Sequence, residues 1–169
     1  SLPTQFRLLV VVRQWLHICP AAVGAVALTV GFQTSTTAQI TSDRTLSTTI
    51  TSSDNLNFVI EDGNRAGPNL FHSFDQFSIP SRGSAVFNHP TAIDIILNRV
   101  TGNQVSRIDG RLQTSGAADI FLVNPNGIIF GPNATLDVGG SFVATTAEQL
   151  IFEDGIEFNT IANTPILSI

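Results

Sequence analysis

Short apolar runs separated by polar turn residues recur along the chain from residue 46 onward. Runs of this length, bounded by Gly, Pro, Asn and Asp, are typical of strands. The spacings between them leave no room for the crossover helix of a βαβ unit. The pattern therefore predicts an all-β fold with strands at Leu46–Thr51, Leu56–Ile60, Ala85–Phe87, Ile93–Leu97, Val105–Ile108, Ile120–Val123, Ile128–Phe130, Leu136–Val138, Phe142–Ala144 and Leu150–Phe152.

The segment DIFLVNPNGIIFGP at residues 119–132 shows this pattern most clearly. Two apolar runs flank a corner in which Pro125 fixes φ, Asn126 tolerates a left-handed backbone and Gly127 accepts positive φ. A second corner follows at residues 131–133. Strand, corner and strand in succession are typical of a coil that keeps turning in one direction. Evenly spaced short strands also suit a sandwich or a barrel, so the local pattern leaves the topology open.

The stretch between residues 61 and 80 is harder to interpret. Residues 61–64 indicate a turn and residues 65–69 a loop. Phe71, Phe74 and Phe77 then recur at every third residue. This spacing fits either a short helical turn or a strand that ends at Pro80. In both cases we expect the three rings to be core or cap residues and not an exposed binding strip.

The charge balance argues against a nucleic-acid partner. The formal net charge is −5, and all eight basic residues are arginine. Nucleic-acid binding usually requires a clustered basic face, which the sequence does not show. Cys19 is the single cysteine, so an intramolecular disulfide cannot form. A chain of this length suits one domain.

The first 38 residues have the parts of a secretory signal peptide. Arg7 and Arg13 precede an apolar stretch at residues 18–32, and small residues lead to Ala38 and Gln39. We predict a signal peptide at residues 1–38, with cleavage between Ala38 and Gln39. The alternative is an uncleaved anchor, since a spanning helix needs about 20 apolar residues. The chain that remains carries six arginines and thirteen acids and has no cysteine.

The sequence offers only weak evidence for catalytic or metal-binding residues. His72, Ser73 and Asp75 are the residue types of a hydrolytic triad, but sequence neighbours seldom converge as a triad must. His72, His89 and Asp75 lack any recognised metal-ligand spacing. The sequence predicts no catalytic residue, no metal and no cofactor. Two groups of acids and arginines also look like solvated surface: Asp94 with Arg99, and Asp109 with Arg107 and Arg111.

Several motifs together resemble the amino-terminal two-partner secretion domain of the filamentous haemagglutinin family. They are NLFHSFDQFSIP at 69–80, NRVTG at 98–102, IDGRL at 108–112 and ADIFLVNPNGIIFGPNATLDVGGSFVATT at 118–146. Gln39-Ile40-Thr41 also fits the family's mature start. Arg44 departs from the family pattern, because glycine is common at that place between Asp43 and Thr45.

The resemblance implies a right-handed, single-stranded parallel β-helix (a solenoid) with an N-terminal cap, spanning residues 39–169. It also implies that the family's further C-terminal coils are missing from this chain. The expected role is to target a large exported adhesin for secretion. The implied partners are the general secretion machinery and the periplasmic modules of an outer-membrane transporter. The protein would reach the cell surface or medium of a Gram-negative cell through the periplasm.

The resemblance also implies a set of secretion-motif residues. For Asn124 and Asn126 we favour a structural role, in which the side chains hold a corner, over direct contact with the partner. The same weighing applies to the rest of the set. The set comprises Asn124, Pro125, Asn126, Gly127, Ile128, Asn69, Phe71, His72, Phe74, Phe77 and Asn88.

Two other functions remain as alternatives. The first is a surface carbohydrate-binding β-helix module, although such modules usually expose aromatic rings and residues 39–169 contain no Trp or Tyr. The second is a polysaccharide-cleaving β-helix enzyme, which would require a carboxylate cluster on one face. The passenger, which could be an adhesin, a haemolysin or a toxin, would lie beyond residue 169 together with any host-cell receptor site.

Overall fold

The computed structural model describes residues 39–152 and 157–161, and within these ranges every regular element is a strand. The predicted signal peptide, including Ala38, lies outside the described residues. No helix of the described part is long and apolar enough to cross a membrane. The strands are β1 (Ile40–Ser42), β2 (Thr48–Thr51), β3 (Asn57–Asp62), β4 (Asn64–Ala66), β5 (Asn69–Phe77), β6 (Ser84–Phe87), β7 (Ile95–Val100), β8 (Ser106–Ile108), β9 (Arg111–Thr114), β10 (Asp119–Val123), β11 (Ile128–Phe130), β12 (Thr135–Asp137), β13 (Phe142–Thr145), β14 (Gln149–Ile151) and β15 (Glu157–Asn159).

Three parallel stacks of strands form the body of the molecule. Sheet A contains β5, β7, β10 and β13, and sheet B contains β3, β6, β9 and β12. Sheet C contains β8 and β11, and the bridge between Ile79 and Ile108 extends it by one coil. The chain passes from sheet A to sheet C to sheet B and back to sheet A. The predicted parallel β-helix is therefore confirmed as a β-solenoid of about four turns. Its right-handed sense remains a prediction from the family resemblance, and the general rule for parallel crossovers agrees with it.

Antiparallel strands close the N-terminal end of the solenoid. Strands β1 and β4 pair antiparallel with β5, and β2 pairs antiparallel with β3. Gly63 makes the tight turn between β3 and β4 at a φ of 87°. A Cβ on Gly63 would lie 2.8 Å from the carbonyl oxygen of Phe71, so a larger residue does not fit there. These strands are the predicted N-terminal cap.

The interior of the solenoid consists of side chains that align from coil to coil. On sheet A, Leu70, Ile96, Ile120 and Phe142 occupy equivalent positions on the four coils. The first three of these side chains are almost fully buried. Inward positions alternate with outward ones because successive side chains of a strand point to opposite faces. The paired positions are unequally spaced along the chain, which explains why the sequence shows no exact internal repeat.

A bulge in β5 explains the three-residue spacing of the phenylalanines. Ser42 pairs with Phe74 and Thr41 pairs with Gln76, so Asp75 is an extra residue in β5. The extra residue changes the phase of alternation. Phe74 and Phe77 consequently both enter the main core, with ring centroids 5.0 Å apart. The strand interpretation of this stretch is confirmed, and the helical turn is wrong.

Several predicted boundaries are wrong. Residues 65–69 are not a continuous loop, because β4 covers Asn64–Ala66 and β5 already begins at Asn69. The strand predicted at Ile93–Leu97 instead spans Ile95–Val100. Four short strands were not predicted at all. They are β1, β4, β9 and β15.

The outer side of sheet A carries a second apolar cluster, which the antiparallel pair β14–β15 covers. Phe158 of β15 is fully buried and packs with Phe71, Leu97 and Val123. The rings of Phe71 and Phe158 lie 5.7 Å apart. Both faces of sheet A therefore carry buried apolar clusters, in keeping with the apolar runs at residues 95–97 and 120–123 of its strands.

Candidate functional site

Asn124 forms the corner that follows β10, and its side chain is fully buried. Its amide nitrogen donates to the carbonyl oxygen of Gln104 at 3.0 Å and to the hydroxyl of Ser106 at 2.9 Å, both on the preceding coil. Its amide oxygen accepts a hydrogen bond from the backbone N–H of Asn126 at 3.0 Å. The side chain thus satisfies its donors and its acceptor inside the protein, which is what burial of a polar group requires.

The next three residues turn the chain through the corner. Asn126 is exposed, and its side-chain nitrogen donates to the carbonyl oxygen of Gly102 at 2.8 Å. The N–H of Gly127 donates to the carbonyl oxygen of Asn124 at 3.1 Å, and Gly127 has a φ of 117°. A side chain at that φ would be strained, which accounts for glycine here. Pro125 and Ile128 are each partly buried, and Ile128 packs on the main core.

Strand β5 contributes the next group of motif residues. Phe71 faces the outer cluster, whereas Phe74 and Phe77 face the main core. Asn69 begins the strand, and its side-chain oxygen is buried without a hydrogen-bond partner among the described residues. The expectation that the phenylalanine rings are core residues is confirmed.

Asn88 lies apart from these residues, at the corner after β6. It is exposed, and its side-chain nitrogen donates to the carboxylate of Glu61 at 2.6 Å. Its backbone N–H donates to the carbonyl oxygen of Ile60 at 2.9 Å. Asn88 therefore links two coils of sheet B and does not join the Asn124 corner.

His72 points into the solenoid and is almost fully buried beside Phe74 and Phe87. One ring nitrogen, Nδ1, lies 3.2 Å from the hydroxyl of Thr48. Burial lowers the pKa of His72 to about 4, against a smaller opposing effect of Asp62. The imidazole is consequently neutral at pH 7. Because Ser73 is the next residue of the strand, it faces the opposite side of sheet A, so the two cannot act together.

Arg99 is a functional residue for which the sequence pattern is misleading. The prediction of solvated surface for Arg99 beside Asp94 is wrong, because the side chain of Arg99 is fully buried on the outer side of sheet A. Its guanidinium donates to the hydroxyl of Ser73 at 2.8 Å and to that of Thr45 at 3.1 Å. It also donates to the main-chain oxygen of Asn159 at 2.9 Å. Arg99 therefore holds both the N-terminal cap and β15 against β7, the strand in which it lies.

Asp43 completes this network. Its carboxylate accepts hydrogen bonds from the hydroxyls of Ser73 at 2.5 Å and Thr101 at 2.7 Å. Burial acts to raise the pKa of Asp43, but hydrogen bonds from Ser73, Thr45 and Thr101 outweigh it, so the pKa is lowered. Burial lowers the pKa of Arg99, against the opposing charge of Asp43. The hydroxyl of Ser73 accepts from Arg99 and donates to Asp43, so it links the two charged groups. The opposite charge of Asp43 offsets part of the free-energy cost of burying Arg99.

The turn beside Asp43 adopts the conformation that glycine favours. Arg44 has a φ of 64°, in the left-handed region. The backbone N–H of Thr45 donates to the Asp43 carboxylate at 2.9 Å and fixes the turn. The family's usual glycine at this place is explained, because a non-glycine residue is strained there. The turn nevertheless forms with arginine.

The motif residues form a framework that links the coils of the solenoid. Most of the motif residues bind neighbouring coils or fill the core, and they do not line one cavity. No group of three or more His, Cys, Asp or Glu side chains in the described ranges could hold a metal ion. The signal that could have revealed Arg99 is the motif NRVTG, in which a charged residue stands between the apolar run at residues 95–97 and Val100 of the same strand.

A family model described as the TPS secretion domain matches residues 38–169. A heme/hemopexin-binding protein of Haemophilus influenzae is 38% identical over 85 residues, which cover 50% of this chain and 9% of that protein. A second heme/hemopexin-binding protein of the same species is 30% identical over 88 residues, covering 52% of this chain and 9% of that protein. The protein adenylyltransferase and cysteine protease IbpA of Histophilus somni is 37% identical over 76 residues, covering 44% of this chain and 2% of that protein. The chain thus matches less than a tenth of the length of these relatives.

Proposed function

The chain belongs to the TPS secretion domain family, and from this we propose that residues 39–169 are the address by which a large haemagglutinin-like protein is exported. The domains of this family interact with an outer-membrane transporter of the two-partner pathway. We propose that the periplasmic modules of that transporter bind this solenoid. The observation that carries the proposal is the family match over residues 38–169, which includes every described strand.

The proposed route begins with residues 1–38 as a signal peptide, read by the general secretion machinery and cleaved between Ala38 and Gln39. The start of the family match at residue 38 supports this boundary. In the described part, the carbonyl oxygen of Gln39 accepts a hydrogen bond from the N–H of Ser78 at 3.0 Å. The cap would therefore form directly behind the cleavage point. The protein would then cross the periplasm and the outer membrane to the cell surface or the medium.

We propose that the motif residues act on recognition indirectly. The side chain of Asn124 is fully buried and cannot touch a partner of the folded domain. Its loss would displace the corner and the surface around it. Asn126 and Asn88, which are exposed, are the motif residues that could also be contacted directly.

Strand addition at the cap is the proposed mode of contact. Strand β2 is the edge of sheet B, because it pairs with β3 on one side only. An edge strand offers free backbone groups to a partner strand. In an antiparallel edge strand, alternate N–H groups point outward. Of Thr49 and Ile50, one directs its N–H outward and the other directs it toward β3. Proline is therefore placed at each position in turn. The variant with proline at the outward position loses a donor for a partner strand and keeps its hydrogen bonds to β3.

The passenger would lie beyond the family domain, since the relatives are much longer than this chain. Binding of heme or hemopexin, which the names of two relatives state for those proteins, is one candidate activity. Adhesion to a host or cell-surface receptor is another. We propose that the domain itself has no catalytic activity; in support, the side chains of the triad candidates His72 and Ser73 face opposite sides of sheet A.

A secretion assay tests the proposal. The chain is expressed with and without an outer-membrane transporter of the pathway, and the medium is assayed for it. We expect transporter-dependent release that is lost when Asn124 and Asn126 are both changed to Ala. The matched control is Asn103→Ala, an exposed asparagine of the neighbouring corner, which should be released normally. Release without the transporter, or equal release of the double variant in a folded form, contradicts the proposal.

If the wild-type chain is retained in the cell although the transporter is present, two explanations are possible. An experiment with a longer chain distinguishes them. The assay is repeated with additional coils from a relative appended after residue 169. Release of the longer chain alone would mean that the family domain needs more coils than residues 39–169 supply. Retention of both would mean that the domain is not an export address.

A further inference from the structure

A groove of about 570 Å³ crosses the outer side of sheet B, on a different sheet from the one that β14–β15 covers. Arg82 and Arg111 line it from adjacent coils. The backbone N–H of Arg111 donates to the carbonyl oxygen of Gly83 at 2.9 Å, so the two arginines are held as close neighbours. Both are exposed, and within the described ranges neither side chain has a hydrogen-bond or ion-pair partner. Two free guanidinium groups thus share one concave surface of an acidic protein.

The rest of the lining is polar and uncharged. It includes the side-chain amides of Asn57, Gln113 and Asn133 and the hydroxyls of Ser81, Ser84 and Thr135. Among the described residues that line the groove, none carries a carboxylate. Three neighbouring acids accept hydrogen bonds from the lining amides: Asp54 from Asn57 at 2.8 Å, Asp109 from Asn133 at 3.2 Å and Asp137 from Gln113 at 2.9 Å. These carboxylates are occupied by the amides, so the two arginines are the charged groups that the lining itself offers to a ligand.

Two glycines form the floor at the corner. A Cβ on Gly83 would lie 2.5 Å from the carbonyl oxygen of Leu56, and a Cβ on Gly110 would lie 2.3 Å from that of Gly83. Side chains are excluded at both positions, so the coils stack backbone on backbone. The two arginines project from the corner that this close stacking of coils creates.

The polar positions repeat along the solenoid axis. Asn57, Ser84, Arg111 and Thr135 pair in register on four successive strands of sheet B. Neighbouring strands lie about 4.8 Å apart. A ladder of hydrogen-bonding groups at that interval matches an extended polymer better than a single small anion, because a polymer can place one polar unit opposite each coil.

We propose that this groove binds an acidic polysaccharide whose sugar units carry carboxylates, that is, a uronic-acid polymer. The planar guanidinium of arginine binds carboxylates through two parallel hydrogen bonds. Sugar hydroxyls would then pair with the amides and hydroxyls of the lining. Nucleic acid fits less well, because unpaired bases usually stack on aromatic rings and the lining has none.

The test is direct binding of oligogalacturonate to the purified chain by titration calorimetry. We expect Arg82→Gln and Arg111→Gln each to weaken binding about tenfold, the usual effect of losing one charged hydrogen bond, and the double variant to abolish it. Raising the salt concentration should weaken binding of the wild type. The matched control is Arg107→Gln, which removes an exposed arginine from sheet C and should change binding less than twofold.

Thermal unfolding of each variant verifies that the fold is kept, since all three arginines are exposed. Equal weakening by Arg107→Gln overturns the proposal, because it would show attraction by net charge alone. Binding of polyglutamate or single-stranded DNA as tight as that of oligogalacturonate overturns it as well, as does failure of the wild type to bind. A neutral dextran oligosaccharide should not bind. Export is measured separately, so loss of groove binding with normal transporter-dependent release leaves the proposed function untouched.

Discussion

The guanidinium of Arg99 donates a hydrogen bond to the main-chain oxygen of Asn159 at 2.9 Å, which ties strand β7 to strand β15 across the outer side of sheet A. The same guanidinium reaches Ser73 on the preceding coil and Thr45 in the cap. One side chain therefore connects three parts of the chain that are distant in sequence. Because the pair β14–β15 is short, we infer that this polar contact and the burial of Phe158 hold it in place together.

Replacing Arg99 should destabilise the whole domain. Arg99→Met keeps much of the apolar stem but leaves the hydroxyls of Ser73 and Thr45 without their donor, and it removes the positive charge that faces the partly buried Asp43. We expect the free energy of unfolding to fall by about 3 kcal/mol, the usual cost of breaking a buried charged network. Arg99→Lys should recover little, because one ammonium cannot reach the same acceptors. Urea unfolding measures both.

The control for this prediction is Arg107→Met on sheet C, where the side chain is exposed. Its effect should stay within about 0.5 kcal/mol. Hydrogen exchange adds a local readout, because the amides of β15 should lose protection in Arg99→Met before those of β7. Unchanged stability and unchanged exchange in Arg99→Met would contradict the proposed clamp.

The corner after β10 could be predicted from the sequence, whereas the burial of Arg99 could not. Pro125 and Gly127 restrict the backbone locally, so their turn is visible without any tertiary information. Arg99 is buried by residues 54 positions before it and 60 positions after it. No local pattern contains those partners, and a charged residue is by default assigned to the surface.

The missed strands have the same physical origin. Strand β9 has the sequence RLQT, with one buried apolar side chain, Leu112. Such a strand is held by hydrogen bonds to the coils on both sides and not by its own propensity. The three-residue period of the phenylalanines similarly reflects the bulge at Asp75, which appears only once the pairing with β1 is known.

Asn124→Ala should cost far more stability than Asn126→Ala. The first removes a fully buried amide and leaves the hydroxyl of Ser106 and the carbonyl of Gln104 without their donor. We expect a loss of about 2 kcal/mol, the usual penalty for unpaired buried polar groups. Asn126 is exposed, and water can replace its hydrogen bond to Gly102, so about 0.5 kcal/mol is expected. Equal losses in urea unfolding would mean that Asn124 is not the main support of the corner.

Arg44→Gly should stabilise the protein. Arg44 occupies the left-handed region at a φ of 64°, which costs a non-glycine residue about 1 kcal/mol. Glycine removes that strain but loses more backbone entropy on folding, so we expect a net gain of about 0.5 kcal/mol. The control is Arg44→Ala, which removes the side chain and keeps the strain and should give no gain. If alanine gave the same gain in stability as glycine, the gain would come from removal of the arginine side chain and not from relief of backbone strain.

Stability should fall as the pH is lowered from 6.5 to 4, because His72 is buried in its neutral form. The pKa of His72 is about 4 in the folded protein, against 6.5 in the unfolded chain. Above pH 6.5 the imidazole is neutral in both states and its contribution is fully present. Between pH 6.5 and 4 the unfolded state binds the proton first, so the contribution is lost over this window. The difference between the folded and unfolded pKa values of His72 corresponds to about 3 kcal/mol of the free energy of unfolding.

The variant His72→Asn isolates this effect, because it removes the titrating ring and keeps a polar group opposite the hydroxyl of Thr48. We expect a lower stability than wild type at pH 7 but a much weaker dependence on pH between 6.5 and 4. The lowered pKa of Asp43 makes its own contribution to stability fall mainly below about pH 4, so most of the window from pH 6.5 to 4 reports on His72. Parallel curves for the wild type and His72→Asn, measured by urea unfolding at each pH, would show that another group causes the loss.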